Sequence, residues 1–375
     1  MSTHTSTRPQ VLIHGGGMAG ALLAKALAPR LRVTLVDPND YFEVPMAAPR
    51  SVVDPDFAAT AIIPFAQALP GVQHVRGALT ELRDDGGIVR LQDGREQRLS
   101  GDITVLATGS VFSNALVRAT AATSAEERKA FYRQYQGRIA QAQRILIVGG
   151  GPIGVEVSGE IVERYPDKQL TLLEAGPRLL AGTSEAAAQY ATTFLHERGV
   201  TILTNERFDS AGNRGDVFAG GGEARTDHGR SLGYDLLIWC IGGKPNTGYM
   251  QAHFASVLNA AGRIRVTPEL RVAGLERVFA LGDITDLDEN KMAWHVNGHV
   301  KTATHNIRAL LAGQAAPKLK AYKPQTGNPK MAVTLGSRHG VVHLPGVGVV
   351  RWPALVRMAK SGHMLVPQYR KALGV

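Results

Sequence analysis

The pattern of apolar and polar positions repeats itself once along the chain. Val11-Leu12-Ile13 is a continuous apolar run, the signature of a buried strand, and it leads into Gly15, Gly17 and Gly20. The Ala/Leu-rich stretch ALLAKAL follows as a helix, and the strand VTLVD closes the unit at Asp37. The second copy runs through Ile145-Leu146-Ile147-Val148, then Gly149, Gly151 and Gly154, then the helix VEVSGEIVERY, then the strand LTLLE ending at Glu174. Each copy is a βαβ unit. After each comes a stretch of short alternating strands broken by turn residues, then a hydrophobic strand that ends in glycine, ITVLATGS and LLIWCIGGKPN. The expected fold class is therefore α/β, with two Rossmann-like dinucleotide-binding domains.

The glycine spacing carries chemistry only in that context. Glycine permits the tight strand-to-helix turn and lets the backbone approach a pyrophosphate, whose charge is stabilised by the free N–H groups and dipole at the helix start. Asp37 and Glu174 stand about 20 residues beyond their glycines, where a strand-end carboxylate accepts hydrogen bonds from a ribose. Two nucleotide sites in one chain imply hydride transfer from a nicotinamide to a flavin. Glu174 would repel a 2′-phosphate, so NADH is the expected donor; Arg178, four residues on, leaves NADPH as the alternative.

Composition narrows the setting. The 375 residues are 44% hydrophobic and 20% charged, as in a globular protein of two or three domains. No run of 18 apolar residues occurs, and the first ten residues lack the layout of a signal peptide, so a cytoplasmic location is expected. The single cysteine, Cys240, sits in an apolar strand and is expected to be structural. The net charge of +10 is concentrated: Asn290 to Val375 holds 13 Lys or Arg and no acidic residue, whereas the rest holds 29 basic and 32 acidic residues. Such a segment suits an anionic membrane surface, an acidic protein or nucleic acid, or is simply a solvated basic face. His295 and His299 are four apart on a probable helix, but no further ligand completes a set, so no metal is expected.

The motifs ATG (Ala107-Thr108-Gly109), VFALGDITD, KMAWHVNGHV, AYKP and AKSGHMLV, with the two glycine turns, resemble the ferroptosis-suppressor and apoptosis-inducing-factor-like flavoproteins, a family of FAD-dependent NAD(P)H:quinone oxidoreductases. The resemblance implies FAD in the first unit, held by Gly15, Gly16, Gly17, Met18, Ala19, Gly20 and Asp37, with Arg50, Val75, the ATG segment, Gly282 and Asp283. It implies NAD(P)H in the second unit on Gly149, Gly151, Gly154 and Glu174, with Glu156 beside the nicotinamide. Lys291, Met292 and Ala293 would bring a helix start to the flavin ring, the histidines of that helix, His295 and His299, would hydrogen-bond it, and Lys360 would lie where the acceptor enters; Glu156, His299 and Lys360 are thus the catalytic candidates.

Expected boundaries are 1–140 with 255–325 for the FAD domain, 141–254 for the NAD(P)H domain and 326–375 for a small basic C-terminal segment carrying the acceptor site and a membrane contact. Ser2 stands where family members anchored by myristoylation need glycine, so that anchor is not expected. The acceptor implied is a quinone of the ubiquinone or menaquinone type. A ferredoxin or rubredoxin reductase, or a nucleic-acid-binding flavoprotein, remains the alternative, with nucleic acid the less expected partner. The apolar residues of the tail either dip into a headgroup boundary or close over the flavin as a lid.

Overall fold

The computed structural model describes residues 8–112, 116, 122–209, 220–313, 317–326 and 330–375. The first apolar run forms strand β1 (Gln10–His14), followed by helix α1 (Met18–Leu27) and β2 (Arg32–Asp37). A meander of β3 (Gln73–Arg83), β4 (Gly86–Leu91) and β5 (Glu96–Ser100) leads to β6 (Ile103–Leu106). Helix α2 (Ala125–Gln141) opens on a capping box, Ser124 with Glu127, and crosses to the second unit. There β7 (Arg144–Val148), α3 (Pro152–Arg164), β8 (Gln169–Leu173), α4 (Glu185–His196), β9 (Thr201–Leu203) and β10 (Leu236–Trp239) repeat the pattern. The chain then returns through β11 (Val278–Ala280) and α5 (Ala293–Leu311) before a hairpin of β12 (Met331–Leu335), β13 (His339–Leu344) and β14 (Gly348–Val350), and ends in α6 (Val366–Leu373).

The first sheet has the order β11-β6-β1-β2-β3-β4-β5, parallel from β11 to β3 and antiparallel beyond. The second, β9-β8-β7-β10, is parallel throughout. Central strands are buried on both faces, which is why they read as unbroken apolar runs rather than as alternation. Two short strands, Ser110–Val111 and Lys244–Pro245, pair antiparallel where the chain leaves the first unit and where it comes back.

After the second unit the chain returns to the first sheet through β11, which pairs with β6. Packing is less tidy than the boundaries. Helix α2, assigned to the first unit, puts Ala125, Tyr132, Tyr135 and Ile139 into the apolar cluster of the second. The C-terminal segment does not form a core of its own. Met331, Val333, Leu335 and Val341 of its hairpin join the cluster of the second unit, whereas Met364, Val366, Tyr369 and Leu373 pack with α1 in the first. It therefore buckles the two units together.

Candidate functional site

Each glycine turn divides its work among its glycines. Gly15 and Gly149 take φ of +104° and +110°, which L-residues with a Cβ avoid, and a Cβ there would strike the backbone oxygens of Ala107 and Cys240. At Gly20 and Gly154 a Cβ would strike the oxygens of Gly15 and Gly149, so these glycines set how closely each helix lies on its own turn. Gly17 and Gly151 differ: nothing stands within 4 Å of the place a Cβ would occupy. They face open space at the starts of α1 and α3, and no side chain caps either helix, leaving the first backbone N–H groups for a ligand. Met18 and Ala19 form the buried first turn of α1, and a Cβ on Gly16 would meet Phe65.

The strand-end carboxylates reach back to these turns. Asp37 Oδ2 accepts from Gly16 N at 2.6 Å and Oδ1 from Asn39 N at 2.8 Å. Glu174 Oε2 accepts from Gly150 N and Oε1 from Gly176 N, both at 2.6 Å. Arg178 does not turn toward the glycines: its guanidinium donates to the carbonyls of Leu180, Ala181 and Thr183. Val75 lies in β3 opposite Val36, one residue from the Asp37 position. The ATG segment closes the floor. Ala107 N donates to His14 O, Thr108 Oγ1 donates to Asn246 O at 2.7 Å, and Gly109 O accepts from Asn246 N.

Helix α3 carries three carboxylates, and each ties it to a different part of the chain. Buried Glu156 accepts at Oε1 from Lys360 Nζ at 2.5 Å, from Thr334 N at 2.8 Å and from Thr334 Oγ1 at 3.2 Å. Lys360 also donates to Ala332 O at 3.0 Å. Two residues separated by about 200 positions, expected on opposite sides of one reaction, thus form one buried ion pair. Glu160, one turn on, receives Arg50 in two-pronged fashion at 2.8 to 3.2 Å, and both side chains are buried. The Arg50 guanidinium, expected against FAD, is thereby turned toward the second unit. Burial raises the pKa of Glu160, and Arg50 works against that rise. Glu163 accepts from Ser337 Oγ at 2.6 Å in the turn between β12 and β13.

Lys360 owes its place to irregular backbone. It sits in a five-residue π-helical turn, Arg357–Ser361, and Met364 and Leu365 follow with φ of +47° and +63°. Such turns and left-handed non-glycine residues are retained where a side chain has to be aimed.

The third part of the site is the start of α5. Gly282 lies against Ala19 of α1, so the two helix starts converge on the Gly282-Asp283 turn. Gly282 N donates to His299 Nδ1 at 3.0 Å. That bond makes Nδ1 the acceptor, so Nε2 carries the proton and donates to Glu289 Oε1 at 2.8 Å. Both ring nitrogens of His299 are committed within the protein, so His299 positions the Gly282 turn and has no ring nitrogen left for a flavin. Tyr322 donates to Glu289 Oε2 at 2.7 Å. Burial would push the Glu289 carboxyl up, but the hydrogen bonds from His299 and Tyr322 outweigh it and hold the pKa at about 2. Asp283 accepts from Ser110 Oγ at 3.2 Å, and burial raises its pKa. Lys291 donates to Leu287 O, with Met292 as the uncapped start of α5 and Ala293 as its first residue. A shallow recess, open to solvent, lies between Gly282, Asp283, Lys291, Met292 and His295.

Glu160, Glu289 and Tyr322 were not singled out from sequence as site residues. Glu289 is the last acidic residue before the cationic stretch, and Tyr322 is the tyrosine of AYKP; both signals were present without a partner to interpret them. That tyrosine rides on a strap, residues 318–326, pinned to α5 by Asn306 through Lys320 N and O.

The sequence profile of the pyridine nucleotide-disulphide oxidoreductase family matches residues 9–308. Apoptosis-inducing factor homolog B of Dictyostelium discoideum is 29% identical over 381 residues, covering 97% of this chain and 97% of its own. Ferroptosis suppressor protein 1 of Taeniopygia guttata is 30% identical over 370 residues, covering 97% of this chain and 96% of its own. Among solved structures, NDH2 of Plasmodium falciparum in complex with NADH has a TM-score of 0.71 at 13% identity, over 94% of this chain and 93% of that one. The sulfide:quinone oxidoreductase of Aquifex aeolicus has a TM-score of 0.70 at 17% identity, over 97% and 90%. At those identities the two structures share the fold.

Proposed function

This chain belongs to the pyridine nucleotide-disulphide oxidoreductase family, alongside the ferroptosis suppressor proteins and apoptosis-inducing factor homologues, and on that premise we propose that it passes hydride from NADH through FAD to a quinone. It is an FAD-dependent NAD(P)H oxidoreductase. The residues present fit those cofactors: Gly17 and Gly151 leave room for a diphosphate at two uncapped helix starts, and a carboxylate stands behind each. When bound, FAD supplies a ring that accepts hydride from a nicotinamide and gives it up again.

The protein's own part is positional. Asp37 and Glu174 brace the turns and keep lone pairs for ribose hydroxyls. The Lys360–Glu156 pair holds a cation and a carboxylate at the junction of α3 with the C-terminal hairpin, out of bulk water, where an incoming carbonyl oxygen can be met by an ammonium. A disulfide relay needs two thiols. The sequence has one, Cys240, buried and with its pKa pushed up by burial to about 12.

One observation supports a lipid-dissolved quinone over an acidic iron–sulfur protein. Val347, Trp352 and Met358, 72%, 74% and 70% exposed, lie along the segment that runs up to and into the turn carrying Lys360, with Arg351 and Arg357 exposed among them. Apolar side chains interleaved with cations suit an anionic membrane better than a polar partner. No described helix is long and apolar enough to cross a membrane. The test is NADH oxidation with short- and long-tailed quinones, the latter in anionic vesicles, against an acidic iron–sulfur protein. Turnover should be highest with vesicle-borne quinone. Faster reduction of the iron–sulfur protein would replace this reading with that of a protein reductase.

A further inference from the structure

Lys360 reaches Glu156 from a stretch of irregular backbone. Val356 and Met364, both buried, pin that stretch at its two ends, and between them run the π-helical turn Arg357–Ser361 and exposed Gly362. The Lys360 carbonyl accepts from His363 N at 3.1 Å and from Met364 N at 2.7 Å, after which Met364 and Leu365, neither of them glycine, take left-handed backbone. Two such residues in succession are costly, and no side chain caps the start of α6 that follows. A contact beyond the backbone has to hold this path.

His363, half-buried, supplies it with both ring nitrogens. Leu365 N donates to Nδ1 at 3.1 Å, and Nε2 stands 3.0 Å from Met358 O. A backbone N–H can only donate, so Nδ1 carries no proton; the proton is on Nε2 and is donated to Met358. The neutral ring thus ties the middle of the π turn to the left-handed pair, and Lys360 lies between the tied points. The Gln368 amide of α6 lies 3.4 Å from the same Nε2.

The consequence falls on the ammonium. Lys360 Nζ donates to Glu156 Oε1 and to Ala332 O, which commits two of its three N–H bonds. The third is the one an acceptor oxygen can take, and its direction is set by the backbone from which the side chain springs. We infer that His363, in this tautomer, is a positioning residue for Lys360: it clamps the turn so that the third N–H is presented to the acceptor. This rests on the acceptor role given to Lys360 above.

The experiment follows the two half-reactions of the flavin-loaded protein separately by anaerobic stopped flow. These are reduction by NADH, and reoxidation by a short-tailed quinone or by ferricyanide, which takes single electrons and needs no hydrogen-bond donor. His363→Ala should slow reoxidation by the quinone on the order of 10- to 100-fold, with NADH reduction, ferricyanide reoxidation and flavin occupancy as in wild type. His363→Asn, whose side-chain oxygen can stand in for Nδ1, should recover most of that rate; His363→Gln, whose amide reaches only the Met358 side, should not. In nitrogen NMR of histidine-labelled wild type near neutral pH, the signals missing from His363→Asn should be those of a neutral ring protonated at Nε2. Quinone reoxidation at the wild-type rate in His363→Ala, a loss shared equally by NADH reduction, or a ring protonated at Nδ1 overturns the proposal. Should His363→Ala not retain flavin, the Asn and Gln variants decide it, and equal rates in those two overturn it. Lys360→Met reoxidised by the quinone at the wild-type rate refutes instead the acceptor role of Lys360 on which the proposal stands.

Discussion

His14 ends β1 one residue before the first glycine turn, fully buried, with no hydrogen-bond partner at either ring nitrogen. Burial holds its pKa down at about 3 from 6.5. In the unfolded chain it protonates below about 6.5, whereas the folded chain resists until about 3, so the unfolded state binds more protons in between and stability falls as the pH drops through that window. From pH 7 to 5 the loss should be about 2 kcal/mol. His14→Leu should abolish that part of the slope and raise the melting temperature most at pH 5, checked by thermal unfolding at both pH values. A second residue-scale expectation concerns the donor. Arg178 is spent on three backbone carbonyls, so it does not offset the charge of Glu174 against a 2′-phosphate. NADH should exceed NADPH by roughly one to two decades in kcat/KM, and Glu174→Gln should narrow the gap. Equal efficiency in wild type would remove this role from Glu174. Both carboxylates were legible in the sequence because strand end and glycine turn are neighbours along the chain. His14 was not, because an apolar run says nothing about the one polar ring inside it.

Among the elements, α3 shows where sequence reading stops. Its glycine start, its length and the special standing of Glu156 could all be read locally. That Glu156, Glu160 and Glu163 each meet a different segment could not, because their partners Lys360, Arg50 and Ser337 lie 110 to 204 positions away. Arg50 was taken from its motif as a cofactor contact, yet its only ion pair among the described residues is with Glu160. Removing one partner of such a pair strands a buried charge. Arg50→Leu or Glu160→Leu should each cost about 3–5 kcal/mol, and the double substitution distinctly less than their sum. Denaturant unfolding of the four proteins in a double-mutant cycle measures this; additive losses would mean the two side chains do not couple.

For the molecule as a whole, the charge map was legible and its three-dimensional use only half so. The C-terminal segment was read as a separate basic piece carrying a membrane contact, but Lys360 is buried against Glu156, and Val356, Met364 and Tyr369 are in the core. The tail therefore has one face packed into the core and another turned outward. Deleting it would strip α1 of Val366 and Leu373, so surface substitutions are the cleaner probe. Val347→Ser, Trp352→Ser and Met358→Ser together should weaken sedimentation with anionic vesicles on the order of 100-fold, with flavin content unchanged. Undiminished sedimentation would show that this face does not meet lipid. Size and sheet order also carry a consequence in time. Strand β11 closes the first sheet against β6, yet about 170 residues, including the whole second unit, lie between them. At roughly 5–20 residues per second on the ribosome, the edge of β6 waits some 10–30 s for its neighbour. Through that interval the nascent chain carries an open parallel edge, and its yield in the cell depends on whatever covers that edge before residue 280 emerges.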